Sequence, residues 1–129
     1  MQLEYTEAFA AIGANHYAET VDFYRAVFGR EPDERIRDIY VAFHLPGLKL
    51  GIFEPRAENR PEFENPTDAH SSLNLVLRVP SVERARAELA ARRPRRPPGE
   101  ICDTNHGREF YAYDPEGNRL ILVERTSAK

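Results

Sequence analysis

Hydrophobic and polar positions change period several times along the chain, and the changes mark two successive sets of elements. Tyr17, Val21, Tyr24 and Phe28 recur at steps of four, three and four, which is one apolar stripe of a helix, and Gly29 supplies the stop. A second helix starts at the N-cap candidate Ser81, carries Val82, Ala85 and Leu89 on its stripe, and is ended by Pro94. Each helix follows a predicted strand: the small, apolar Phe9 to Ala14, and Leu73 to Val79, where Asn74 and Arg78 interrupt an aliphatic run. Each is followed by a predicted hairpin, Val41 to Glu54 (VAFHLPGLKLGIFE) and Tyr111 to Glu124 (YAYDPEGNRLILVE), with Pro and Gly at the turn. Glu31 to Arg37 and Glu100 to Thr104, short and polar, are candidates for one more strand after each helix.

The two sets are copies of one unit. The hairpins align without a gap at an offset of 70, matching Ala42 with Ala112, Gly47 with Gly117, Leu50 with Leu120 and Glu54 with Glu124. The strand and helix upstream align at an offset of about 65. The expected fold class is α+β, with two tandem βαβββ modules at about residues 5–55 and 70–125. Pro55 to Ala69, with Pro61, Pro66 and six charged side chains, reads as a linker. Modules of this size cannot bury a sheet face alone, so the 129 residues are expected to form a single domain with a shared core. The sheets would form a paired half-barrel around a concave cleft, with the helices outside.

Composition narrows the function. A formal charge of −3 with both signs scattered along the chain offers no broad basic field for phosphates, so nucleic acid is not an expected partner. The one basic run, Arg92, Arg93, Arg95 and Arg96, is broken by Pro94, Pro97 and Pro98 and reads as an exposed connection. No stretch reaches the roughly 20 apolar residues that cross a bilayer, and Met1 to Glu7 lacks a signal-peptide pattern, so no membrane partner and a cytoplasmic location are expected. A lone cysteine, Cys102, excludes an internal disulfide and is expected to be a packed thiol.

Three segments resemble a known superfamily. Phe23-Tyr24-Arg25-Ala26-Val27-Phe28-Gly29 is similar to the FYxxxLG helix end of the vicinal oxygen chelate proteins, the glyoxalases, bleomycin resistance proteins and extradiol dioxygenases. Tyr113-Asp114-Pro115-Glu116-Gly117-Asn118 resembles their DPxGN turn, and His106-Gly107-Arg108-Glu109-Phe110 the GREF segment of bleomycin resistance proteins. The resemblance implies a paired βαβββ fold, often a homodimer, whose enzymatic members hold a divalent metal with His, Glu or Gln from the first and last strand of each module. Carried over by position, those places are Phe9, Gly51, Asn74 and Ile121. A phenyl ring, a hydrogen and a sec-butyl group have no lone pair to donate, and Asn74 adds one amide oxygen. The expectation is therefore no metal and no other cofactor, with a divalent metal as the alternative. Glu124 lies an odd step from Ile121 and is expected on the opposite face.

The four histidines form no spaced ligand pair. His16 is expected in the strand-to-helix turn and His44 at the hairpin turn, where Asp114 stands in the other copy; His70 is a weak fallback metal donor, and His106 could cover the mouth of the cleft. Read as a cavity wall, Phe9, Phe43, Phe53, Tyr111, Tyr113 and Ile121 supply an apolar and aromatic lining, while Asn74, Arg78, His106 and Arg108 supply polar anchors. Such a mixture suits a flat organic ligand. The same aromatics at strand spacing also suit an ordinary core, and the sequence leaves open which alternating face is which. Three functions follow: metal-free binding of a small aromatic or conjugated molecule, as in resistance by sequestration; a divalent-metal-dependent lyase, isomerase or dioxygenase; or a module that binds a metabolite for regulation or has lost its cleft.

Overall fold

A computed structural model of the chain describes residues 1–65, 73–105 and 107–124. It divides into two compact units, Met1–Glu64 and Asn65–Lys129. In the first, β1 (Ala10–Gly13), α1 (Tyr17–Phe28), β2 (Glu34–Ile36), β3 (Tyr40–Leu45) and β4 (Leu48–Phe53) follow in order; in the second, β5 (Leu75–Arg78), α2 (Val82–Ala91), β6 (Cys102–Thr104), β7 (Gly107–Tyr113) and β8 (Arg119–Glu124). Both sheets are mixed and four-stranded with the same connectivity, β1-β4-β3-β2 and β5-β8-β7-β6. The first strand of each unit lies parallel to the last, and the remaining pairs are antiparallel. The α+β fold of two βαβββ modules is thus as expected, with the uncertain strands shorter than their candidate segments.

Local chemistry sets the boundaries. Gly29 closes α1 at φ 65°, a left-handed cap whose N–H donates to the Arg25 carbonyl at 2.9 Å. Ser81 caps α2 by accepting from the Arg84 N–H at 3.2 Å, and the Glu124 carboxylate accepts from the Val82 N–H at 2.9 Å. The first hairpin turns on Pro46-Gly47, between the paired Leu45 and Leu48, with Gly47 at φ 80°. In the second, the buried Asp114 carboxylate accepts from the Glu116 and Asn118 N–H groups at 2.9 and 2.8 Å and from Asn118 Nδ2 at 2.9 Å. Asn65 then donates to the Glu116 carbonyl at 2.8 Å, which ties the start of the unit to this turn.

Each core lies between sheet and helix. In the first unit Val41, Phe43, Leu50 and Ile52 are buried, and the Phe43 ring meets Phe28 of α1 edge to face at 5.1 Å. In the second, Phe110, Ala112, Leu120 and Leu122 are buried with Val82 of α2. Strand alternation then assigns the faces: Ala10, Ile12, Val41, Phe43, Leu50 and Ile52 point toward α1, and Arg108, Phe110, Ala112, Leu120, Leu122 and Glu124 toward α2.

Several expectations need correction. The segment read as a linker is a 3-10 helix over Ala57–Phe63, fastened to the first unit. Arg60 donates to the Asn15 carbonyl at 2.9 Å and accepts from the Asn15 amide at 3.0 Å through its own carbonyl, while Phe63 meets Phe53 edge to face at 5.2 Å. Residues 66–69 of the expected linker lie outside the described residues. Cys102 is exposed, not packed, because β6 is a three-residue strand at the edge of its sheet. His44 is not a turn residue: β3 continues through it, opposite Lys49, whereas β7 stops before Asp114.

Candidate functional site

The faces turned away from the helices carry most of the candidate residues. On the second sheet the register sets Val76 beside Ile121 and Ile121 opposite Tyr111, a row of one aliphatic, one aliphatic and one aromatic side chain across three strands. Val76, on the edge strand β5, is 56% exposed and Tyr111, on the inner strand β7, is 39% exposed, so the row presents apolar surface. Asn74 and Arg78 share this parity on the β5 side. Arg119, absent from the expected set, brings two of these residues together: its guanidinium lies 5.0 Å from the Tyr111 ring centre, and its Nε donates to Asn74 Oδ1 at 2.7 Å. Its pairing with Tyr113 across the hairpin is the signal that would have found it. Tyr113 is on the same face but buried, with the Arg96 guanidinium 3.8 Å over its ring.

The first sheet offers a different surface. Phe9 lies under Lys49, whose Nζ is 4.6 Å from the ring centre. Lys49 also pairs with Glu34 at 2.9 Å, and the same Glu34 oxygen is 2.6 Å from His44 Nε2. The bond to His44, then that to Lys49, holds the Glu34 carboxyl below its ordinary range; Glu34 in turn raises Lys49. Asp33 takes the His44 N–H at 2.7 Å, which is the main reason its carboxyl is depressed too. Sequence reading gave His44 a turn role and missed its pairing with Glu34, because the two meet only through the antiparallel β2–β3 pairing.

Two candidates leave the set on register. Phe43 faces α1 and is fully buried, and Arg108 faces α2, where it pairs with Glu83. Glu83 is depressed first by that bond, and Arg108 raised by it. Phe53 keeps its place on the helix-free face of the first sheet, partly covered by Phe63. His70 and His106 lie outside the described residues. His16 is exposed at the N-cap of α1 and forms no side-chain cap there.

Of the four positions that would correspond to metal ligands, Gly51 and Ile121 face away from the helices, and Phe9 and Asn74, each one residue before its strand, continue the same alternation. Their chemistry does not fit a divalent cation. Phe9 is under an ammonium group, and Gly51 has Tyr40 above it so closely that an added Cβ would stand 3.0 Å from the phenolic oxygen. The Asn74 oxygen is committed to a guanidinium, and Ile121 has no donor atom. Lys49 and Arg119 moreover bring positive charge beside Phe9 and Asn74, which disfavours a cation there. Among the described residues no group of three or more His, Cys, Asp or Glu side chains could hold a metal ion, and no helix is long and apolar enough to cross a membrane.

Comparison with known proteins agrees with this architecture. A glyoxalase/bleomycin resistance protein/dioxygenase superfamily model matches residues 7–122. A search of curated proteins by sequence found no match. Among solved structures, a lactoylglutathione lyase from Agrobacterium tumefaciens is 21% identical, with a TM-score of 0.65 over 92% of this chain and 93% of its own. A bleomycin-binding protein complexed with bleomycin is 16% identical, with a TM-score of 0.65 over 95% of this chain and all of its own. A glyoxalase/bleomycin resistance protein from Catenulispora acidiphila is 20% identical, with a TM-score of 0.64 over 92% and 97%. At these identities the likeness to each structure is one of fold. The family match spans nearly the whole chain, and the protein belongs to the glyoxalase/bleomycin resistance protein/dioxygenase superfamily.

Proposed function

We propose that the protein binds a small, flat organic molecule on the helix-free face of its second module, without a metal ion of its own, and acts by holding that molecule rather than converting it. The observation that carries this reading is the exposed row of Val76, Ile121 and Tyr111, with the Arg119–Asn74 pair beside it. An apolar surface with an aromatic ring can stack a conjugated system, while Arg78 or Arg119 meets one carbonyl or anionic group. Phe9 and Phe53 give the first module aromatic groups on its own helix-free face. A bleomycin-binding protein complexed with bleomycin shares this fold, which supports reading the chain as a binder of an organic molecule.

The absence of a donor set at Phe9, Gly51, Asn74 and Ile121 favours binding over metal-dependent lyase or dioxygenase chemistry. Calorimetric titration of chelator-treated protein with metal-free bleomycin and a panel of conjugated compounds tests the reading. Binding by at least one compound, weakened tenfold or more by Tyr111→Ala, is expected. Thermal melts with Mn, Ni, Zn and Fe(II) give the contrary outcome its chance, since a real metal site raises the melting temperature with the logarithm of metal over dissociation constant. A clear rise with one metal, reversed by chelator, would put the metal-dependent enzyme in place of the binding protein.

A further inference from the structure

The first module has an open pocket of about 380 Å³ on its helix side, walled by α1 and by the turn between β2 and β3. Its size is at the lower end of small-molecule sites. Val21 and Ala18 of α1 give it an apolar wall. The ring of Tyr17 reaches in from the start of the helix, and its hydroxyl is buried with no hydrogen-bond partner among the described residues. A buried hydroxyl without a partner is uncommon in folded proteins and calls for an explanation.

The charged groups around this phenol are Arg35, Asp38 and Glu54, and all three act on it electrostatically. Their proximity has a backbone cause. Glu54 leaves β4 with its N–H donating to the Ile39 carbonyl at 2.9 Å, so it emerges beside the turn that carries Asp38. Arg35 is on the α1 side of β2, opposite Val41. The remaining charges in the wall neutralise each other, because Arg25 is held by Asp22 at 2.6 Å and by Glu31 at 2.9 Å. Among the described residues Arg35, Asp38 and Glu54 have no ion pair within 4 Å, although both signs are present in one pocket. One exposed cation and two exposed carboxylates without ion pairs, with a buried phenol hydroxyl that lacks a hydrogen-bond partner beside an apolar wall, are complementary to a ligand with one carboxylate, one ammonium group and a short side chain.

We propose that this pocket is a binding site for a small zwitterion of the free α-amino acid class, separate from the sheet face described above. Arg35 takes the carboxylate, Asp38 and Glu54 the ammonium group, Val21 and Ala18 the side chain, and the Tyr17 hydroxyl supplies a hydrogen bond that the protein alone leaves unmade. Occupancy would link α1 to the β2–β3 turn and would be felt as a rise in melting temperature. The site does not depend on the ligand reading for the second module.

The twenty common L-amino acids, added in pools to ¹⁵N-labelled full-length protein, test it by NMR. At least one is expected to produce saturable shifts at the amides of Tyr17, Val21 and Asp38. The matching amino-acid amide, which lacks the carboxylate charge, and the N-acetyl derivative, which lacks the ammonium, should each bind at least tenfold more weakly. Arg35→Ala should weaken the free amino acid tenfold or more while leaving the amide unchanged, and Tyr17→Phe should weaken both severalfold. Arg35 is exposed, so its replacement leaves the core intact. Saturation by none of the twenty, equal binding of the three derivatives, or unchanged affinity in Arg35→Ala would each overturn the proposal.

Discussion

The ring of Phe63 occupies the space that a side chain on Gly13 would need: a Cβ placed on Gly13 would collide with the ring at Cδ1 and Cγ. Gly13 ends β1 opposite Phe53, and Phe53 meets the same ring edge to face. The 3-10 helix Ala57–Phe63 is therefore fitted to the sheet through the absence of one side chain. Gly13→Ala should force Phe63 aside and cost about 1–3 kcal/mol of stability, the usual range for overpacking. In a Phe63→Ala background the same change should cost much less. Denaturant melts of the two single variants and the double variant measure this coupling, and additive losses would mean that the ring can move away freely.

Acid should weaken the first module through Glu34. Its carboxyl is depressed by hydrogen bonds from His44 and Lys49, so it contributes stability above its unfolded value of about 4.3. That contribution is lost as pH falls through the lower folded value. Melting temperatures of the protein and of Glu34→Gln should therefore differ at pH 7 and draw together as pH falls below the unfolded value and through the lower folded one. The pair is solvent-exposed, so raising the salt concentration should narrow the difference at pH 7 as well. A difference that persisted unchanged to pH 2.5 would show that the glutamine disturbs β2 for reasons other than charge.

Asp114 should prove the most sensitive polar residue of the second module. It is 4% exposed and receives three hydrogen bonds that shape the turn from β7 to β8. Replacing it with alanine leaves the Glu116 and Asn118 N–H groups without their acceptor, and the cost of such orphaned groups is about 1–3 kcal/mol each. A loss of about 2–4 kcal/mol is expected in denaturant unfolding of Asp114→Ala. Glu116→Ala, which removes no bond to this carboxylate, should stay within about 0.5 kcal/mol of the parent.

Much of this architecture is legible in the residue pattern, and the limits are physical. The stripe Tyr17, Val21, Tyr24, Phe28 and the stop at Gly29 specify α1 because helix periodicity and a left-handed cap are local properties. The repeat at an offset of 70 brings out both hairpins and equates Gly51 with Ile121, an equivalence the parallel pairings of β1 and β5 reproduce. Faces are harder, because Phe43 and Tyr111 look alike as aromatic residues at strand spacing, and only the position of each helix separates core from open surface. Cross-strand groups such as Glu34 with His44 are ten residues apart and give no local signal. The 3-10 helix is hidden by its charge and by Pro61, which suggest a solvated connection, whereas Phe63 and Arg60 anchor it.

Glu124 illustrates how alternation can be turned into a prediction about stability. It stands three residues beyond Ile121, an odd step, and so points toward α2, where its carboxylate takes the N–H of Val82, the first helical residue. Ser81 meanwhile takes the N–H of Arg84, so two of the donors that a helix start leaves unpaired are satisfied from different parts of the chain. The negative charge at this end also favours the helix dipole. Ser81→Ala should cost about 1 kcal/mol, as for other N-cap serines. Glu124→Gln keeps an acceptor and should cost less than Glu124→Ala, which leaves the Val82 N–H buried and unmatched. Because each side chain serves a different donor, the losses of Ser81→Ala and Glu124→Ala should add in the double variant to within about 0.5 kcal/mol. A double variant no weaker than Glu124→Ala alone would mean that the serine bond depends on the glutamate being in place.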